Sequence, residues 1–208
     1  MCIRDRIISL AEQTNLIGRL GNWVLRTACE HARRWAGSGV ATHINVSPLQ
    51  LMRGDLVSNV RAAVDDAGLQ PGDIVIEITE STAMEPLAIA NIAALKEAGV
   101  RIALDDFGTG YANLASLRAL PIDIVKLDRS IVTDIAANSP SRAMLEGIVA
   151  MAHALDLQVV AEGVETADEL AVIKDTGCDL GQGFLIERPT SQAAIRRLLD
   201  LDIKDAIA

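Results

Sequence analysis

The chain has 208 residues, half of them hydrophobic and only 2% aromatic, with a formal net charge of −9. That length suits one large domain or two small ones, and the apolar share is enough for a sizeable core. The acidic balance excludes a broad nucleic-acid footprint, which needs clustered Lys and Arg. It leaves room for one small phosphorylated ligand with cations between it and the protein.

The opening MCIRDR is charged and without visible periodicity, so residues 1–6 are set aside as a non-native or unstructured leader. Residues 7–36 read as two helices, with GRLGNWVLRTACEHARRW the clearer one. From residue 41 onward one rhythm repeats. Short β-rich runs fall at 41–46, 73–79, 100–105, 122–127, 157–162 and 178–182, with helical spacing between them, as at Ala88, Ile92 and Leu95. Ser47 to Gln50 and Thr166 to Glu169 have the form of capping boxes that start helices. Gly68, Gly99 and Gly177 fall where helices should end. Alternating strands and helices predict a parallel sheet. No Pro/Gly/Ser-rich linker interrupts the pattern, so residues 7–208 read as one domain. Six strand–helix units are visible, whereas a closed (β/α)8 barrel needs eight.

Cys2, Cys29 and Cys178 are odd in number and lack a CxxC pattern, which predicts reduced thiols and neither a disulfide framework nor a zinc site. No apolar run approaches the roughly 18 residues of a membrane span, and no secretory signal is present. The expected setting is the cytoplasm, including the cytoplasmic part of a membrane-anchored parent.

Each predicted strand ends on polar residues. They are Asn45, then Glu77 and Glu80, then Asp105 with Asp106, then Lys126 and Asp128, then Glu162 and Glu165, then Gln182. Taken singly, a strand-end Asp is often a helix cap and a strand-end Lys a surface charge. Taken together, in a parallel barrel they converge on the face where catalytic groups gather. Clusters of Asp, Glu and Asn suit hard cations such as Mg2+, Mn2+ or Ca2+. The adjacent Asp105 and Asp106 repel each other, and two cations about 3.5–4 Å apart would offset that repulsion while serving displacement at phosphorus.

The segments LAEQTNLI, INVSPLQL, IEITES, IALDDFGTGYANL, PIDIVKLDRS, VVAEGVET and GQGFLIERP, from about residue 7 to residue 190, closely resemble the EAL-domain family of bacterial cyclic di-GMP phosphodiesterases. The resemblance implies a modified TIM barrel with one antiparallel strand, opening cyclic di-GMP to linear pGpG with two Mg2+ or Mn2+ ions. It implies metal binding by Asn45, Glu77, Asp105, Asp106 and Glu162, with Glu162 also acting on the attacking water and Lys126 orienting that water or stabilising phosphate charge. Gln182 and Asp128 match positions near the substrate. Glu80 and Glu165 match positions that support the loop FGTGYANL, which links the metal centre to a homodimer interface in this family. Ala112 and Asn113 stand where serines are common there. An upstream sensor or diguanylate cyclase domain is implied for the parent protein.

The Glu-Ala-Leu motif that names the family is absent from this sequence. The chain therefore reads as a domain lacking about its first two strand–helix units, and by itself as a poor, aggregation-prone catalyst. Two alternatives are a non-catalytic module that binds cyclic di-GMP or a protein partner, and a metal-dependent barrel enzyme acting on another phosphoester.

Overall fold

The computed structural model describes residues 3–83, 85–109 and 114–205. Two helices lead, α1 (Ile3–Gln13) and α2 (Ile17–Ala32). They are followed by β1 (Thr42–Asn45), α3 (Pro48–Leu51), α4 (Leu56–Ala67), β2 (Ile74–Thr79), α5 (Glu80–Ala83), α6 (Pro86–Glu97) and β3 (Arg101–Phe107). Then come α7 (Leu114–Ala119), β4 (Ile124–Leu127), α8 (Arg129–Val132), α9 (Ser139–His153), β5 (Gln158–Glu162), α10 (Ala167–Asp175), β6 (Leu180–Gln182) and α11 (Gln192–Asp205). The first helix starts at Ile3, inside the stretch set aside as a leader, because no helix breaker separates Arg4-Asp5-Arg6 from the apolar residues that follow.

The six strands form one sheet in chain order, and all five pairings are parallel. The antiparallel strand implied by the resemblance is not among them. Among the described residues β1 and β6 each have a strand partner on one side only. The architecture is a TIM-barrel-like α/β fold in which the sheet curls and helices cover its outer face. Parallel strands buried on both faces read as continuous apolar runs, as Ile74-Val75-Ile76 does.

The two faces of the sheet differ in what they bury. Outward, Ile74, Ile76, Ile78, Ile102, Leu104, Val125, Leu127 and Val159 join the helices in the main core, where Leu51, Val60, Ile92, Leu95 and Leu145 meet them. Burying each such side chain contributes about 1.5–3 kcal/mol. Inward, Val75, Ala103, Ile124 and Val160 from four successive strands form a second, smaller cluster with Ala41 against it. Beneath that layer Arg101 donates from Nη2 to Gln158 Oε1 at 3.0 Å. Directly above it, at the C-terminal ends of the strands, lies a layer of charged groups. The apolar layer is the floor on which the polar one stands.

Both expected capping boxes form, at Ser47 with Gln50 and at Thr166 with Glu169. Gly68, Gly99 and Gly177 sit at helix ends with φ of +65°, +84° and +81°. Cys29 and Cys178 are free thiols, and burial pushes the pKa of Cys29 up to about 11. Cys2 lies outside the described residues. No helix among the described residues is long and apolar enough to cross a membrane.

Gly183 fixes where β6 ends. The loop after β5 and the end of β6 are tied by Val164 N–H to the Gln182 carbonyl at 3.1 Å and by Leu185 N–H to the Val164 carbonyl at 3.1 Å. A Cβ on Gly183 would come within 2.1 Å of the Val164 carbonyl oxygen, a backbone atom that cannot swing aside. Gly183→Ala is expected to lower the unfolding free energy by about 1–3 kcal/mol, read as a fall in the urea midpoint. An unchanged midpoint would show that this approach is not tight in solution.

Candidate active site

Residues two apart on a strand share a face. Glu77 on β2, Asp105 on β3, Lys126 on β4 and Glu162 on β5 all continue the inward rows that begin with Val75, Ala103, Ile124 and Val160. Lys126 is the hub. It is only 4% exposed. Its Nζ lies 2.8 Å from Glu77 Oε1, 2.8 Å from Asp105 Oδ1 and 2.7 Å from Glu162 Oε1. An ammonium has three N–H donors, and each here finds a carboxylate. Adjacent strands lie about 4.8 Å apart, so β4 reaches past β3 to Glu77 on β2 only with a long side chain and a curled sheet.

Glu77 is itself held from below. His43 lies with Nδ1 2.8 Å from Oε1, and Asn45 donates from Nδ2 to Oε2 at 2.9 Å. Asn45 uses an amide N–H in that bond and not its carbonyl oxygen.

The charges set the proton affinities. Burial alone would drive the Lys126 pKa down, but Glu77 and the bonds to Asp105, Glu162 and Glu77 more than offset it, so the pKa is raised and the amine keeps its proton. Burial raises the Glu162 pKa, and repulsion from Asp105 and Glu77 adds to this, against the opposing hydrogen bond and charge of Lys126; the net shift is upward. Burial also raises Asp106, with Asp105 and Asp128 repelling its charge. Burial pushes Glu77 up as well, but the bond from His43 and the charge and bond of Lys126 together outweigh it, and the net shift is downward. One ammonium against three carboxylates leaves two negative charges uncompensated, before Asp106 is counted.

Consecutive strand residues normally point to opposite faces, so Asp105 and Asp106 should not meet the same site. A bulge removes the conflict. Leu104 pairs with Val125 and Phe107 with Leu127, so three steps along β3 match two along β4. The extra residue is absorbed with Asp106 at φ +56°, a left-handed conformation that Asp tolerates better than most residues. As a result, carboxylate oxygens of Asp105, Asp106 and Glu162 all lie within 4.8 Å of one another. Three anionic oxygens at that spacing fit a hard divalent cation.

The remaining expected residues take other places. Gln182 ends β6, exposed, opposite Glu162 in the strand register. Asp128 caps α8 through the Ser130 N–H at 2.8 Å, which holds its pKa down. Glu80 is buried at the first residue of α5. Glu165 lies on the exposed rim, where it pairs with Arg129 at 2.8 Å. Of the loop FGTGYANL, residues 110–113, including Ala112 and Asn113, lie outside the described residues. His43 was not singled out in the sequence, although its place two residues before Asn45 on the same strand face would have marked it.

A cleft of about 260 Å3 between Arg61, Val64, Pro71 and Val100 opens on the opposite side, where chain segments enter β2 and β3. It holds none of these groups.

The family model for the EAL domain matches residues 2–189. The chain is 42% identical over 200 residues to the cyclic di-GMP phosphodiesterase NbdA of Pseudomonas aeruginosa, covering 94% of this chain and 26% of that protein. The chain thus spans about a quarter of that relative's length. Among solved structures, the PaMucR phosphodiesterase in a c-di-GMP complex superposes with a TM-score of 0.86 at 37% identity, covering 92% of this chain and 79% of that one. The EAL domain of Mycobacterium smegmatis DcpA superposes with a TM-score of 0.83 at 38% identity, covering 88% of this chain and 85% of that one.

The charge imbalance around Lys126 has a measurable consequence. Removing the single cation of a buried ionic cluster costs about 3–5 kcal/mol, since the like charges around it are left uncompensated. Lys126→Met is expected to destabilise the metal-free protein by that amount, and millimolar Mg2+ or Mn2+ is expected to return part of it. Chemical denaturation with and without the cation measures both. A variant as stable as wild type would remove Lys126 from the centre of the electrostatics.

Proposed function

The chain belongs to the EAL-domain family, and on that footing we propose that this site hydrolyses cyclic di-GMP to linear pGpG with two divalent cations, Mg2+ or Mn2+. The observation that carries the reading is the approach of Asp105, Asp106 and Glu162 within 4.8 Å, beside a lysine that remains charged. Asn45, Glu77, Asp105, Asp106 and Glu162 are the residues that would hold the cations. When bound, such cations polarise a phosphodiester and lower the pKa of an adjacent water.

The chain's own groups divide the remaining work. Glu162, with its raised proton affinity, takes a proton from the attacking water as the water oxygen bonds to phosphorus. The P–O3′ bond breaks, which leaves the 5′-phosphate of pGpG; the released 3′-oxygen takes a proton from solvent water, and Glu162 returns its own to solvent. Lys126 keeps its proton throughout, so it donates N–H bonds to charge building on the phosphoryl oxygens and does not serve as a base. The dry floor of Val75, Ala103, Ile124 and Val160 beneath them lowers the local dielectric and strengthens these interactions. Gln182 and Asp128 are assigned to the substrate, on the strength of their positions beside Glu162 and Asp106. Glu80 and Glu165 are assigned to supporting the loop 107–114. A homodimer and an upstream sensor or diguanylate cyclase domain belong to the same proposal for the parent protein. Sedimentation of fully active protein as a monomer alone would remove the dimer.

Incubation of the parent protein with cyclic di-GMP and Mn2+, followed by chromatography for pGpG, tests the activity. Binding without product would favour a non-catalytic sensor. Asp105→Asn is expected to abolish turnover while leaving the fold intact, because the lost charge lies where repulsion already opposes it. Wild-type turnover in that variant would exclude Asp105 from the metal centre.

Lys126→Ala is expected to lower kcat by at least about 100-fold, the loss typical of one donor to a developing oxyanion, with KM much closer to normal. A change confined to KM would instead assign the lysine to substrate binding. Steady-state kinetics in Mn2+ separates the two.

Acidification gives a further check. Cations need the carboxylates deprotonated, and Asp106 and Glu162 hold protons more tightly than ordinary carboxyls. Apparent Mn2+ affinity is therefore expected to fall as pH drops from neutrality, beginning above the usual carboxylate range. Calorimetric titration across that interval tests it, and an affinity that holds constant until ordinary carboxyls protonate would contradict the assignment.

A further inference from the structure

We infer that His43 is a positioning residue for the metal centre, orienting the Glu77 carboxylate so that one oxygen stays available to a cation. The inference rests on the proposed metal site and adds a residue to it that is outside the ligand set implied by the family resemblance.

The geometry of Glu77 carries the argument. A carboxylate offers two oxygens and about four lone-pair positions. On Glu77, Oε1 meets both Lys126 Nζ and His43 Nδ1 at 2.8 Å, while among the described residues Oε2 receives only Asn45 Nδ2 at 2.9 Å. Three positions are used and the remaining one is on Oε2. An ionised carboxylate only accepts, so His43 must carry its hydrogen on Nδ1, whether the ring is neutral or charged.

Lys126 does not hold Glu77 alone, since it divides its three N–H groups among Glu77, Asp105 and Glu162. A cation held by Asp105, Asp106 and Glu162 would compete with the ammonium for Asp105 and Glu162 and would repel it. Any shift of Lys126 loosens Oε1. His43 is the second donor on that oxygen, and it is anchored in β1, whose backbone is registered to β2 with His43 opposite Val75 and Asn45 opposite Glu77. The carboxylate therefore keeps its plane when the lysine moves. Outer partners of this kind are what hold a ligand at the angle a cation requires.

A merely structural histidine would matter to folding and not to the cation. The test is Mn2+ titration of the full chain read by electron paramagnetic resonance, with thermal unfolding of each metal-free variant alongside. His43→Ala is expected to weaken Mn2+ binding by about 10–100-fold with little change in the metal-free melting profile. His43→Asn, whose Nδ2 reaches the place of the ring Nδ1, is expected to restore most of the affinity. His43→Gln, longer by one methylene, is not. Equal affinity in wild type and His43→Ala overturns the inference while leaving the metal site standing, and so does an Asn variant as weak as the Ala variant. Should His43→Ala fail to fold, the Asn and Gln variants decide, and equal affinity in those two overturns the role. A wild-type chain that binds no Mn2+ overturns the metal-site reading and this inference with it.

Discussion

One buried ammonium holds the mouth of this sheet together. Lys126 ties β2, β3 and β5 to β4 through Glu77, Asp105 and Glu162. Taking four charged groups out of water costs several kcal/mol per ion, and their attraction regains this only because every N–H of the lysine is used. Well-packed apolar residues of similar volume would serve stability equally well or better. An ionic hub in such a place is thus better explained by chemistry than by folding. Perturbed proton affinities at Asp106, Lys126 and Glu162 in one small volume point the same way.

The excess of negative charge is what suits this site to a second kind of cation. Lys126 can hydrogen-bond three carboxylates, but it cannot neutralise them, and Asp106 adds a further anion close by. The backbone is arranged to bring that anion in, at a local cost. A bulge interrupts the β3–β4 ladder and Asp106 adopts a left-handed conformation. Strain of this sort persists where the surroundings enforce it, and it gathers at functional sites. Here it converts two residues that would face opposite sides of a sheet into a pair facing one.

The polar layer also depends on the apolar layers around it. Val75, Ala103, Ile124 and Val160 exclude water from below, while Ile76, Ile78, Leu104, Val125 and Leu127 lock the strands against the helices from outside. Side chains held by close packing stay within the small tolerances that proton transfer and cation binding require. At the rim, by contrast, Gln182, Glu165 and Arg129 are exposed.

Much of this was legible in the sequence. The six strand segments, the two capping boxes and the glycines that end three helices all depend on residues within a few positions of one another, so contiguous sequence encodes them. The row of polar strand ends was legible too, because parallel β/α units place equivalent residues on one face. What only the tertiary structure decided is which of those ends meet. Asp128 and Glu165 share the pattern but are taken up by the Ser130 N–H and by Arg129. Lys126 reaches Glu77 because the sheet curls, and His43 joins Glu77 because β1 and β2 pair in one particular register. Asp105 and Asp106 face the same way because β3 carries one residue more than β4 over the same span. Curl, register and bulge arise from pairing between segments distant in the chain, and no local pattern carries that information.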